Sequence, residues 1–386
     1  MKKGSCACLL AIAILLCSCV NEKNKPNQIS ANLKEEASQD SITETVVTNT
    51  ALEDQYLIIG GRRYDYKLSE LHKVSEFTLW LQPYGAPTPI GMDKGSYSLE
   101  GIELLKNVNK LTIRGVNRYN MREENKWPDI SGIDFSHLSA LKGLWMLRFY
   151  FVAFDAIPDF SGIHSLDEIW FDDCIIISMD ELEKNRQIRH LSISLLNNYL
   201  GDFKPISGLI NLDFLRISGS VYINEERKNT VIRVADLSGL TKLRHLRMGN
   251  FNSVDFGGIK NLPSLEILEI NEIKDIINIQ DIAGLKNLKE LTNLSISSNV
   301  LSLDFLGSMT SLSELDIYGS GKTIDITPLK NLSNLENLGL YNFTITNFHV
   351  LDEFPKLEKV FTIGSKFYPE NNNRLKNAGV YYVHDR

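Results

Sequence analysis

The sequence predicts an α/β solenoid: a right-handed coil of stacked turns, with a parallel β-sheet on its concave face and mostly 3₁₀ or irregular turns on its convex side. Three observations predict it. In "GLKNLKELTNLSISSN" (284–299), Leu285, Leu288, Leu291 and Leu294 fall every third residue and Ile296 follows after two. A helix repeats its buried face every ~3.6 residues and a strand every 2, so neither covers the stretch. The pattern also recurs. Anchors equivalent to Leu294 are Phe77, Leu111, Leu147, Ile169, Leu191, Leu215, Leu246, Leu268, Leu315, Leu338 and Val360, and the commonest spacing is 22 residues. Finally, the 386 residues are 43% apolar and 23% charged. That composition folds around a core rather than staying disordered.

Each element of a turn follows from its own period. The anchor and the residue two after it point inward from a short strand. The period-three run before the anchor, clean in "LEGIELLKNVNKLTI" (99–113), suits 3₁₀-like turns, which also repeat every three residues. No single turn can bury its aliphatic residues, so turns must stack. "IDITPLKNLSNLENLGL" (324–340) closely resembles the 22-residue bacterial leucine-rich repeat of the internalins. The resemblance covers residues 68–363 and implies the leucine-rich repeat coil. That family often places Asn five residues after the anchor to bond backbone between turns. Asn299 fits, Cys174, Ser220 and Ser320 are small substitutes, and Leu196, Phe251, Ile273 and Phe343 depart from it. Asn185 interrupts an apolar run and needs hydrogen bonds if buried.

Domain organisation is read from the two ends. "MKKGSCACLLAIAILLCSC" has Lys2 and Lys3, then an apolar run too short to span a bilayer comfortably. Leu16-Cys17-Ser18-Cys19 resembles the bacterial lipobox. That resemblance implies a signal peptide over 1–18, a lipidated (acyl, palmitate-type) Cys19, membrane attachment and a cell-envelope location, in the outer membrane or at the cell surface. Residues 19–54 lack aromatics after Cys19 and read as a flexible tether. "YLIIGGRRYDY" (56–66) reads as a hairpin turning at Gly60-Gly61, an N-terminal cap over 55–67. "NNNRLKNAGVYYVHDR" (371–386) reads as a short helix and a strand within a C-terminal cap over 364–386.

Nothing in the sequence assembles catalytic chemistry. Net charge is −7, which argues against nucleic acid. Four of five cysteines lie in the first nineteen residues, so Cys174 has no disulfide partner in the folded part. "GSGKT" (319–323) imitates a phosphate loop, but Asp316 stands where its first glycine belongs and repeat sequence follows in place of a helix. His190 and His245 sit a turn apart on either side of another strand, roughly 10 Å, too far to share a metal. The expectation is a non-enzyme with no metal, cofactor or small-molecule substrate.

Function is expected on the concave face. Alternation places Arg148, Tyr150, Trp170, Phe214, Arg216 and Arg247 there, on the N-terminal and central turns. Tyr, Trp and Arg are the residue types most enriched at binding hot spots. Glu269, Glu314 and Asp316 follow further along, and Asn293, Ser295 and Ser297 occupy the turn between them. Three insertions, within 82–93, 117–129 and 222–229, are expected to project on one edge as a binding rim. The sequence therefore points to a protein partner, from a host or from the envelope, bound in adhesion or host interaction. A periplasmic scaffold holding envelope components is the alternative.

Overall fold

A computed structural model describes residues 55–81, 97–115, 128–195, 203–219, 231–273, 275–285, 287–295, 302–319, 321–367 and 381–383. Cys19 and the tether, the three insertions except for Pro128 and Asp129, Asn299 and the 371–379 helix lie outside them.

One long sheet organises the fold. Its strands are β1 (Glu76–Trp80), β2 (Lys110–Arg114), β3 (Met146–Tyr150), β4 (Glu168–Ser178), β5 (His190–Leu195), β6 (Phe214–Gly219), β7 (His245–Gly249), β8 (Ile267–Asn271), β9 (Glu290–Ser295), β10 (Glu314–Tyr318), β11 (Asn337–Tyr341), β12 (Lys359–Phe361) and β13 (Tyr381–Val383). Each pairs in parallel with the next, in sequence order. Between strands the chain returns through 3₁₀ turns such as Phe135–Ala140 and Thr327–Asn331. Among the described residues every helical segment is 3₁₀, so the α part of the expected α/β class is carried by these tight turns.

The register explains the period-three leucines. In the turn closed by β3, Leu138, Leu141, Leu144, Leu147 and Phe149 are all fully buried. In the turn closed by β11, Leu329, Leu332, Leu335, Leu338 and Leu340 are equally buried. Removing each such side chain from water contributes ~1.5–3 kcal/mol, which only stacked turns can realise together.

One anchor differs from expectation. Leu268 of β8 pairs with Leu291, not Leu294, and Leu291 pairs with Leu315. Leu294 instead stands opposite Ile317 after a register shift. Three residues of β9 thus span what two span on β10, a bulge. The bulge brings Leu294 rather than Asn293 opposite an inward-facing residue. It also puts Thr292, not Ser295, in the column of Glu269.

The core changes character along the stack. Behind β3 and β4, Phe149 stacks on Phe171 at 5.3 Å and 7°, with Phe154 and Phe160 edge-on or stacked beside them. Asn185 is buried here and finds its partners: Oδ1 accepts from the Phe160 N–H at 2.6 Å, and Nδ2 donates to the Leu182 carbonyl at 3.3 Å. Cys174 is fully buried, with Sγ 3.5 Å from the Asp172 carbonyl, and burial pushes its thiol well above the usual range. A thiol held neutral there packs as a small apolar side chain.

At the N-terminal end, Tyr56–Ile59 and Arg62–Lys67 form an antiparallel hairpin. Gly60 and Gly61 have φ of 54° and 78°, which a two-residue hairpin turn needs. Leu57 and Ile59 join the core, and Tyr64 and Tyr66 lie against Phe77 of β1. At the other end β13 pairs with β12.

Candidate functional site

The face of the long sheet turned away from the core carries the candidate residues. Alternation puts Leu147, Phe149, Ile169 and Phe171 into the core, and therefore Arg148, Tyr150, Trp170 and Asp172 on the outer face. Register then sets the neighbours: Arg148 lies opposite Trp170, Tyr150 opposite Asp172, and Arg114 opposite both Trp80 and Tyr150.

These side chains alternate ring and guanidinium. Arg114 lies over Trp80 at 4.8 Å and over Tyr150 at 5.2 Å. Arg148 lies over Tyr150 at 4.3 Å and over Trp170 at 4.8 Å. The run Trp80, Arg114, Tyr150, Arg148, Trp170 spans four strands. Two further contacts fix its far end. The Arg148 Nε–H donates to Asp172 Oδ2 at 2.5 Å, and the Trp170 indole N–H donates to Glu168. Burial, and then the Asp172 charge, raise the Tyr150 hydroxyl above its usual range, so it remains a donor at neutral pH. The turn leaving these strands holds Phe151 and Asp173 at φ 52° and 51°, a left-handed conformation that is strained for a phenylalanine.

The other three expected residues form a second group. Phe214 lies between two histidine rings, 4.8 Å from His245 and 6.2 Å from His190. Arg216 and Arg247 are neighbours in register, and Glu269 follows Arg247. Glu269 Oε1 meets His245 Nε2 at 2.7 Å, and Oε2 lies 3.4 Å from Arg247 Nε. Burial alone would raise that carboxyl, but the His245 hydrogen bond and the Arg247 and Arg216 charges hold it below the usual range. Between the two groups lies Ser192, opposite Trp170 on one side and Arg216 on the other. It is fully buried although its strand position faces outward. The cluster expected from the sequence is thus two clusters, meeting over a covered serine.

Two features had no clear sequence signal. One is the Arg114–Trp80 extension: strand alternation allows both residues on the face, but no spacing links them to Tyr150. The other lies on β10 and β11. Tyr318 and Tyr341 stack at 4.4 Å and 12°, beside Glu314 and Asp316. Gly339 makes the room: a Cβ there would come 2.0 Å from Asp316 Oδ1 and 2.5 Å from the Tyr341 ring. Burial, and then Glu314, raise Asp316 to about 6, and burial with Asp316 raises Tyr318 to about 12. Glu314 is raised as well, by burial and then by Glu290. Among the described residues no three His, Cys, Asp or Glu side chains converge as a metal site.

Solved structures share this architecture. An internalin (InlF) from Listeria monocytogenes aligns with 84% of this chain and 90% of its own, at TM-score 0.51 and 19% identity. The fold is a leucine-rich repeat solenoid. The mouse RP105/MD-1 complex contains a second example, at TM-score 0.54 and 17% identity, covering 76% of this chain and 47% of that one. No protein-family model and no curated protein matches the sequence.

Proposed function

We propose that this leucine-rich repeat protein is a lipid-anchored bacterial envelope or surface protein that binds a protein partner through the outer face of its long sheet, in adhesion or host interaction. The observation that carries the reading is the run of rings and guanidiniums over β1 to β4. Packing of this kind already removes the conformational freedom that a partner would otherwise have to restrict. It also presents the residue types that dominate hot spots. One of the solved structures of the same fold is a protein complex, mouse RP105/MD-1. Membrane attachment rests on the Leu16–Cys19 sequence alone. Two acyl chains would hold the protein stably, because each buried methylene contributes ~0.8 kcal/mol.

Two experiments test the reading. Mass spectrometry of the mature N-terminus should find an acylated Cys19; an unmodified cysteine contradicts the anchor. Protease added to intact cells should remove the repeats; full protection contradicts surface display and favours an internal scaffold.

A further inference from the structure

Arg114 differs from Arg148 and Arg247 in one respect. Arg148 has Asp172 and Arg247 has Glu269, so those guanidiniums are already answered by the protein's own carboxylates. Arg114 is not. Its guanidinium is held between the Trp80 and Tyr150 rings, and its Nε is buried with no hydrogen-bond partner. Among the described residues no carboxylate lies within ion-pair distance of it. We infer that Arg114, clamped between Trp80 and Tyr150, is an anchor for a carboxylate of an acidic polypeptide segment, which deepens the binding-face reading above and rests on it.

Three points support this occupant. A guanidinium presents a planar fork that matches a carboxylate, and rings on both sides fix its plane before the anion arrives. The neighbouring Arg148–Asp172 pair shows a guanidinium meeting a carboxylate internally, through Nε, on the next strands of the same run. A second cation stands beside the clamp. Arg62 donates from Nη1 to the Trp80 carbonyl at 3.0 Å and is exposed. Lys110 is paired with Glu76 and Arg148 with Asp172, while Glu168 accepts from the neutral Trp170 indole and keeps its charge. Arg62 and Arg114 are the cations beside Trp80 that make no ion pair among the described residues, suited to two carboxylates carried on one chain. The partly exposed ring of Trp170 favours a polypeptide, which brings side chains to pack there, over a bare polyanion.

The test uses purified full-length protein and fluorescein-labelled hexaglutamate, read by fluorescence anisotropy at low salt, where screening is weak. Wild type should bind. Arg114→Gln should weaken binding about tenfold or more, the loss expected at a hot spot. Arg114→Lys should weaken it almost as much, because lysine keeps the charge and loses the fork. Lys330→Gln, on the 3₁₀ side, should change nothing. Melting curves confirm that each variant folds. Hexaglutamine should not bind, and neither a heparin hexasaccharide nor inorganic phosphate should displace hexaglutamate efficiently. The inference is overturned by an unbinding wild type, by unchanged affinity in Arg114→Gln, by full retention in Arg114→Lys, or by preference for heparin or phosphate. If Arg114→Gln is unchanged while Arg148→Ala/Trp170→Ala lowers recovery of a protein cross-linked to this face on cells, only the Arg114 inference fails. If that double variant alone has no effect, the binding-face reading fails.

Discussion

The two ends of the outer face treat carboxylates in opposite ways. Toward the N-terminus Asp172 is only 8% exposed, yet Arg148 donates to it. In the middle, Glu269 is met by His245 and Arg247. Toward the C-terminus Glu290 and Glu314 are opposed in register and Asp316 is close by. Like charges opposed on neighbouring strands destabilise a sheet. The first arrangement uses its charges to fix side chains in place. The second makes no ion pair among the described residues, and Glu314 and Asp316 hold their protons more tightly despite Lys359 nearby. The same alternation of inward and outward residues produced both, so the difference lies in the outward side chains alone.

Four substitutions break or sharpen this contrast. The largest effect belongs to the core beneath the N-terminal run. Phe171→Ala removes a ring stacked on Phe149 and should destabilise by about 3–5 kcal/mol in urea unfolding. Arg148→Ala comes next. It strands a nearly buried Asp172 carboxylate, and a loss of about 1–3 kcal/mol at pH 7 is expected.

Asp316→Asn should act in the opposite direction. Asp316 titrates near 6 in the fold, above an ordinary carboxyl, so the folded state holds the proton more tightly than the unfolded chain. Stability tied to this group is present at low pH and lost as pH rises from about 4 to 6. The variant should be more stable by about 1 kcal/mol at pH 7, discounted for its partial exposure, and no more stable near pH 4. Melting temperatures at both pH values check it. The smallest effect is Tyr341→Phe. It removes the hydroxyl bonded to Asp316, so the Asp316 midpoint should move upward and stability at pH 7 should fall by about 0.5–1 kcal/mol. A carboxyl-resolved NMR titration reads the midpoint.

Much of the fold could be read from spacing, because a stacked turn imposes its period on the chain. Leu138, Leu141 and Leu144 announce themselves, and so does Gly60-Gly61. Leu291 and Leu294 did not separate, because leucines every third residue continue past the true anchor. Only the pairing of β9 with β8 and β10 distinguishes them. The outward positions were equally legible: strand alternation put Arg148, Trp170 and Arg216 on one face. Their grouping was not. Arg148 bonds Asp172, which is diagonal to it rather than opposite, and Ser192 is covered by neighbours whose side-chain directions no spacing encodes. Arg114 stood out only once its lack of a carboxylate could be compared with Arg148.

Site-specific photo-crosslinking on living cells tests the binding face most directly. A photoreactive residue replaces Trp170 in one variant and exposed Lys330, on the 3₁₀ side, in another. The expected result is a discrete protein adduct from position 170, reduced by Arg148→Ala, and none from position 330. Adducts from position 330 alone, or from neither position, would contradict the account.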